Sequence, residues 1–202
     1  MKKLVISSVE DTIVDIVDND RYIEFERVNV KAEDLLKVIQ ERLGKRMSEV
    51  SEIYINVGPG SFTGIRAGLA LVTGLTAATK IKIIPFTTFD MFEYNKLTAG
   101  EILAVNGFSN FVYIKSMEGN TPKMECVEIE NLASIAKEGI VYSYSDKIIS
   151  KLSELGVNAK KMNISPKFVF EKQSIGKLEK INVEPIYLRL SQAEIQKKEK
   201  QE

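Results

Sequence analysis

The chain of 202 residues contains no histidine and no tryptophan, and only one cysteine. Without histidine there is no side chain that titrates near neutral pH, and the commonest metal ligand is missing. A Ser-His-Asp triad, a Cys-His pair and an HExxH zinc site are therefore excluded within this chain. Cys126 alone can form neither an intrachain disulfide nor a CxxC pair; it reads as a small, partly buried apolar residue. One-signed charge is lacking too. Lysine plus arginine and aspartate plus glutamate number 28 each, so no net field steers the protein to nucleic acid or membrane. Long apolar runs are also absent. Leu4-Val5-Ile6 stops at Ser7-Ser8, short of a signal-peptide core, and Arg66 splits the longest uncharged stretch. A cytoplasmic protein with no membrane association is expected. What remains, 44% hydrophobic and 28% charged, suits a globular chain of one large domain or two small lobes.

The pattern along the chain opens with three short β-type runs, Lys3–Ile6, Thr12–Val17 and Arg21–Arg27, with a turn signal at Asp18-Asn19-Asp20. Asp11, Asp15 and Asp18 read as the solvated face and end of a strand. Ala32–Leu43 places Leu35, Leu36, Ile39 and Leu43 on one stripe before Gly44, which predicts a first helix. A buried strand follows at Ile53–Val57, a second helix at Ser61–Thr79, a strand at Ile81–Ile84 closed by Pro85, and a third helix at Thr88–Leu97. The order βββαβαβα implies a mixed five-stranded sheet with flanking helices. Near Gly100 the pattern restarts: shifted by 99 residues, Leu4-Val5-Ile6-Ser7-Ser8 lies over Leu103-Ala104-Val105-Asn106-Gly107, as a duplicated fold would leave it. Two lobes are expected, 1–98 and 99–190, followed by a polar tail over 191–202 that is frayed or disordered.

The sharpest feature is Gly58-Pro59-Gly60-Ser61-Phe62-Thr63-Gly64-Ile65-Arg66-Ala67-Gly68, between a strand and a helix. Backbone N–H groups there could receive a phosphate. The P-loop spacing GxxxxGK[ST] is not met, however, and Thr63 stands where a dinucleotide loop needs glycine. Gly64, Gly68 and Gly74 lie inside the helix, each costing about 1 kcal/mol relative to alanine. Gly60, Gly64 and Gly68 recur every four residues, beside Ala67, Leu71 and Ala78. Such a ridge allows close approach, either by the protein's own sheet or by the helix of a partner.

The glycine segment resembles the signature of the TsaB (YeaZ) family, and Glu184-Pro185-Ile186-Tyr187-Leu188-Arg189 looks like its C-terminal motif. The resemblance implies an α/β, two-lobed actin/Hsp70-like (ribonuclease H-like) fold. It also implies a non-catalytic role beside TsaD, which transfers a threonylcarbamoyl group to an adenosine next to the tRNA anticodon. Family members pair with TsaD, and with themselves, through the first two helices. The expected partner-binding residues are Leu35, Leu36, Ile39 and Leu43 with Gly64, Ala67, Gly68 and Leu71. The matching motif residues are Gly58, Pro59, Gly60, Ser61, Phe62, Thr63, Arg66, Pro185, Tyr187 and Arg189. Expected partners are a TsaD-like subunit, a TsaE-like ATPase and a second copy in a homodimer, with tRNA reached only indirectly; neither a cofactor nor a metal is expected. The chain departs from the family where strands end: Ser7-Ser8-Val9 replaces Asp-Thr-Ser, and Asn106-Gly107-Phe108 replaces Asp-Ala-Arg. Mg²⁺ favours carboxylate and phosphate oxygens, so these changes weaken the alternative of an actin-like ATP-binding protein using the cleft between lobes. A peptidase, suggested by the older "glycoprotease" label, has no constellation of residues to support it.

Overall fold

The structure is a computed structural model that describes residues 2–9, 11–19, 21–25, 34–94, 96–136 and 139–188. The chain divides into two compact units. The first joins Met1–Met91 to Ser165–Ile186, and the second is built on Phe92–Ile164.

The first unit holds a five-stranded sheet in the order β3-β2-β1-β4-β5. Its strands are β1 (Lys2–Ser7), β2 (Ile13–Asp18), β3 (Arg21–Ile23), β4 (Val50–Asn56) and β5 (Lys82–Phe86). β1 runs antiparallel to β2 and parallel to β4, and β4 runs parallel to β5. Alternation along each strand sends Leu4, Ile6, Val14, Ile16, Ile53 and Ile55 to one face. There they join one core with helices α1 (Leu35–Leu43) and α2 (Phe62–Thr76). The opposite face is covered as well. Phe170 of α5 (Lys167–Ser174) stacks 4.3 Å from the Tyr54 ring and meets Tyr22 edge-on at 5.7 Å.

The second unit repeats this plan with β6 (Glu101–Asn106), β7 (Phe111–Glu118), β8 (Thr121–Glu128), β9 (Ile140–Ser143) and β10 (Ala159–Lys161). The order β10-β9-β6-β7-β8 mirrors the first sheet strand for strand, with β6 in the place of β1. β6 is likewise antiparallel to its successor and parallel to the strand after the crossover. Helices α3 (Leu132–Ala136) and α4 (Asp146–Glu154) close the core around Ala104, Ile114, Leu132, Ile148 and Leu152.

Four expectations need correction. The segment 165–186 returns to the first unit instead of completing the second, because α5 supplies the layer that buries Tyr54. Thr88–Leu97 is not a helix. A single 3₁₀ turn spans Thr88–Met91, where Asp90 accepts hydrogen bonds from the Thr87 amide and hydroxyl, both 2.7 Å. Phe92 then bridges to Ile164. β5 runs through Pro85, which pairs with Ile55 on an edge strand that tolerates the missing donor. Asp15 is fully buried, not solvated, because helices cover both faces of the sheet. The polar tail and Arg189 lie outside the described residues.

Candidate functional site

β4 ends at Asn56, and the glycine segment turns from it into α2. Asn56 is buried and organises the turn with both ends of its amide. Its Nδ2 donates to Ser7 Oγ (3.1 Å), and its Oδ1 accepts from the Gly58 amide (2.9 Å). The Thr88 hydroxyl donates to the Pro59 carbonyl (2.7 Å), and the Thr88 amide to the Gly58 carbonyl (2.9 Å). The Gly58–Pro59 peptide is cis. Gly58 adopts φ 107°, a region favouring glycine, and a Cβ there would lie 2.8 Å from Ile65 Cδ1. Ser61 caps α2 by accepting from the Gly64 amide (3.2 Å), while its own amide donates to the Val9 carbonyl (2.9 Å).

These bonds bear on the phosphate reading. The amides of Gly58, Ser61 and Gly64, which would cradle an anion, are already donated to Asn56, Val9 and Ser61. The strand ends that face this turn carry Ser7 and Asn56, bonded to each other.

The C-terminal motif arrives at the same place. Ile186 donates its amide to the Val57 carbonyl at 2.8 Å, and its side chain packs against the first core. Pro185 is half-buried beside it, and Tyr187 is 40% exposed. Two motifs separated by more than a hundred residues thus form one turn region.

The glycine ridge has an intramolecular explanation, contrary to the expected partner contact. A Cβ on Gly60 would lie 2.7 Å from Val9 Cβ, and one on Gly64 would lie 1.7 Å from the Ser8 carbonyl oxygen. One on Gly68 would lie 2.7 Å from Ser8 Oγ. The Ser8 hydroxyl then donates to the Gly64 carbonyl (2.7 Å), fastening the β1–β2 turn onto α2. The ridge is therefore filled by the chain itself.

The remaining predicted residues separate by exposure. Leu35, Ile39 and Leu43 are sealed in the first core, and Val38 joins them there. Leu36 stays 39% exposed. Ala67 and Leu71 are half-buried. Thr63 and Arg66 are exposed, the Arg66 guanidinium lying 3.8 Å over the half-buried Phe62 ring. Farther along α2, Ala70, Thr73, Gly74 and Ala77 are exposed, and a Cβ on Gly74 would meet nothing within 4 Å. Sequence reasoning missed Ser8, Val9 and Thr88; the four-residue spacing of the glycines was the signal that something small must seat there.

Behind the sheet, Asp15 Oδ2 accepts from the Tyr22 hydroxyl (2.5 Å) and Oδ1 from the Phe25 amide (2.9 Å). Burial pushes the Asp15 carboxyl above its ordinary range, against the opposing pull of these donors. Burial and the Asp15 charge likewise push the Tyr22 hydroxyl up.

Paired sheets of identical connectivity, with a glycine turn at the strand ends of the first, define an actin-like α/β architecture. The model of the TsaD family, tRNA N6-adenosine threonylcarbamoyltransferase, matches residues 29–181. The chain belongs to that family. YeaZ from Pseudomonas aeruginosa is similar in structure, with a TM-score of 0.66 at 17% identity over 93% of this chain and 99% of that one. An uncharacterised protein with similarity to the peptidase YeaZ from Pseudomonas aeruginosa gives 0.63 at 18% identity, covering 93% and 98%. A Bacteroides thetaiotaomicron protein with an actin-like ATPase fold gives 0.50 at 12% identity, covering 80% and 91%. At these identities the likenesses define the fold. Among the described residues, no helix is long and apolar enough to cross a membrane.

Proposed function

We propose that this chain is a TsaB-type, non-catalytic subunit of the machinery that forms threonylcarbamoyladenosine in tRNA. In this reading it supports a TsaD-type catalytic subunit through the outward faces of α1 and α2. In isolation it pairs with itself over the same faces. A TsaE-type ATPase joins the assembly, tRNA is reached through the catalytic partner, and the complex works in the cytoplasm.

Gly74 carries this reading. It sits inside α2, is exposed, and has open space where a Cβ would be. A glycine there costs the helix about 1 kcal/mol relative to alanine, and among the described residues no neighbour gains from the missing side chain. Close approach by another protein's helix gives that glycine a purpose, with Ala70 and Ala77 on the same side and Leu36 as an exposed apolar anchor on α1. The non-catalytic part rests on the lack of any histidine, and on Ser7 and Asn106 at strand ends where acids would hold a metal–nucleotide complex.

The test is co-purification with the TsaD-type protein of the same organism, followed by a threonylcarbamoyl-transfer assay. The expected result is a stable complex whose activity needs both proteins, and no transfer by this chain alone. Gly74→Leu should remove the complex and the self-association while keeping the chain folded, its thermal melt no lower than that of the wild type. Wild-type binding by Gly74→Leu would rule out this face of α2, and transfer by the isolated chain would rule out the supporting role.

A further inference from the structure

The two units share one connectivity but differ where a turn meets a helix. In the first, Ser8 and Val9 close down on the glycines of α2. The corresponding parts of the second are the β6–β7 turn and α4, and there α4 presents Lys147, Ser150 and Lys151 instead of glycines. The turn and helix leave a cavity of about 640 Å³ between them, lined entirely by the second unit. That volume falls within the roughly 300–1,000 Å³ typical of small-molecule sites.

The lining is organised by chemistry. Val112, Ile129 and Ile148, all buried, form an apolar floor with Phe111. Asn106 and Asn110 stand on the turn side. The two carboxylates at the edge are engaged: Glu154 lies 3.4 Å from Lys151, and Glu130 accepts from Asn110 Nδ2 at 3.3 Å. Lys147 is exposed and makes no ion pair with any described residue. A cation unpaired among the described residues, set over an apolar floor with amides opposite, complements a molecule that is negative at one end and flat and greasy at the other.

We propose that this cavity binds a small organic anion with a flat apolar body. The charged head lies on Lys147 and Lys151, the body rests on Phe111 and Ile129, and Asn106 and Asn110 supply orienting hydrogen bonds. An aromatic carboxylate and a nucleoside monophosphate share this chemistry. The inference is independent of the pairing role of α1 and α2.

The test titrates the full chain with 8-anilinonaphthalene-1-sulfonate, followed by fluorescence, and then competes the probe with salicylate or with AMP. One saturable site is expected. Lys147→Glu should weaken it about tenfold, the loss of one charge-assisted contact, and Lys147→Gln by less. Ser150→Trp, at an exposed helix position on the cavity wall, should abolish it, and thermal melts verify that each variant is folded. Displacement by salicylate or by AMP identifies the head group, and amide NMR shifts caused by that competitor should fall within 106–112 and 145–151. The proposal is overturned if the wild type does not bind the probe or if the variants bind it equally well. Failure of both competitors, or shifts centred elsewhere, overturns it as well.

Discussion

Two glycines of α2 that look alike in the sequence predict opposite outcomes when changed. Gly64→Ala places a methyl group 1.7 Å from the Ser8 carbonyl oxygen, a backbone atom that cannot swing aside. The helix gains about 1 kcal/mol of propensity, but the turn must separate from α2, so a net loss at the top of the roughly 1–3 kcal/mol overpacking range is expected. Gly74→Ala meets nothing and should stabilise the isolated chain by about 1 kcal/mol. Urea melts of the two variants make the comparison, and equal effects would mean the β1–β2 turn does not seat as described. Asp15 gives a pH prediction. Burial raises its folded pKa above the ordinary carboxylate value, so the folded state binds its proton more readily than the unfolded state does. Its contribution to stability therefore grows as pH falls through the folded pKa and is lost as pH rises. The stability of wild type relative to Asp15→Asn should rise between pH 7 and pH 4, whatever the surface carboxylates do in both. Asp15→Ala, which strips the Tyr22 hydroxyl and Phe25 amide of their acceptor, should cost about 1–3 kcal/mol at any pH in that range.

At the level of elements, the strands and the first two helices were legible because their apolar periods are strong. Ile23 and Phe25 alternate with charge, and Leu35, Ile39 and Leu43 repeat at helical spacing. What was not legible depends on what covers a face. Alternation marks Asp15 as the polar side of a strand, but only α5, 150 residues later, makes that side buried. Thr88–Leu97 read as a helix, yet Phe89, Met91 and Phe92 are buried around a single turn that Thr87 and Asp90 close locally. For the glycines, the spacing announced a close approach and left its partner open; the partner is Ser8 and Val9. That difference changes an expectation about variants. Gly68→Leu, which would test a partner surface if the ridge were free, should instead drive a side chain into Ser8 and Ile55 and destabilise the fold. A melt lowered by several degrees is the expected reading, whereas Gly74→Leu, on the outward side, should raise the melt slightly through its gain in helix propensity.

For the molecule as a whole, the duplicated strand order separates the two units by an asymmetry of chain path. The second unit has its sheet and its core complete within the stretch Phe92–Ile164. The first is split: its sheet is finished by Phe86, but one layer arrives only with Ser165–Ile186. That late segment is held by specific bonds. Lys172, buried, donates to the Asp90 carbonyl at 2.6 Å, Phe170 packs on Tyr54, and the Ile186 amide reaches the Val57 carbonyl. Removing it strips one whole face of a sheet whose other face is already closed by α1 and α2, and exposes Tyr54 and the buried Asp15 pair to water. A fragment of residues 1–91 should therefore show near-native far-ultraviolet circular dichroism without a cooperative melt, as a sheet missing one packing layer does. Adding a synthetic peptide of residues 165–188 should restore the cooperative transition. The fragment 92–164 should melt cooperatively without help, at a modest temperature given its small core. A cooperative melt of 1–91 alone, or no response to the peptide, would mean that the α5 layer is an accessory to the first unit and that the family's C-terminal motif is not needed to complete the glycine turn.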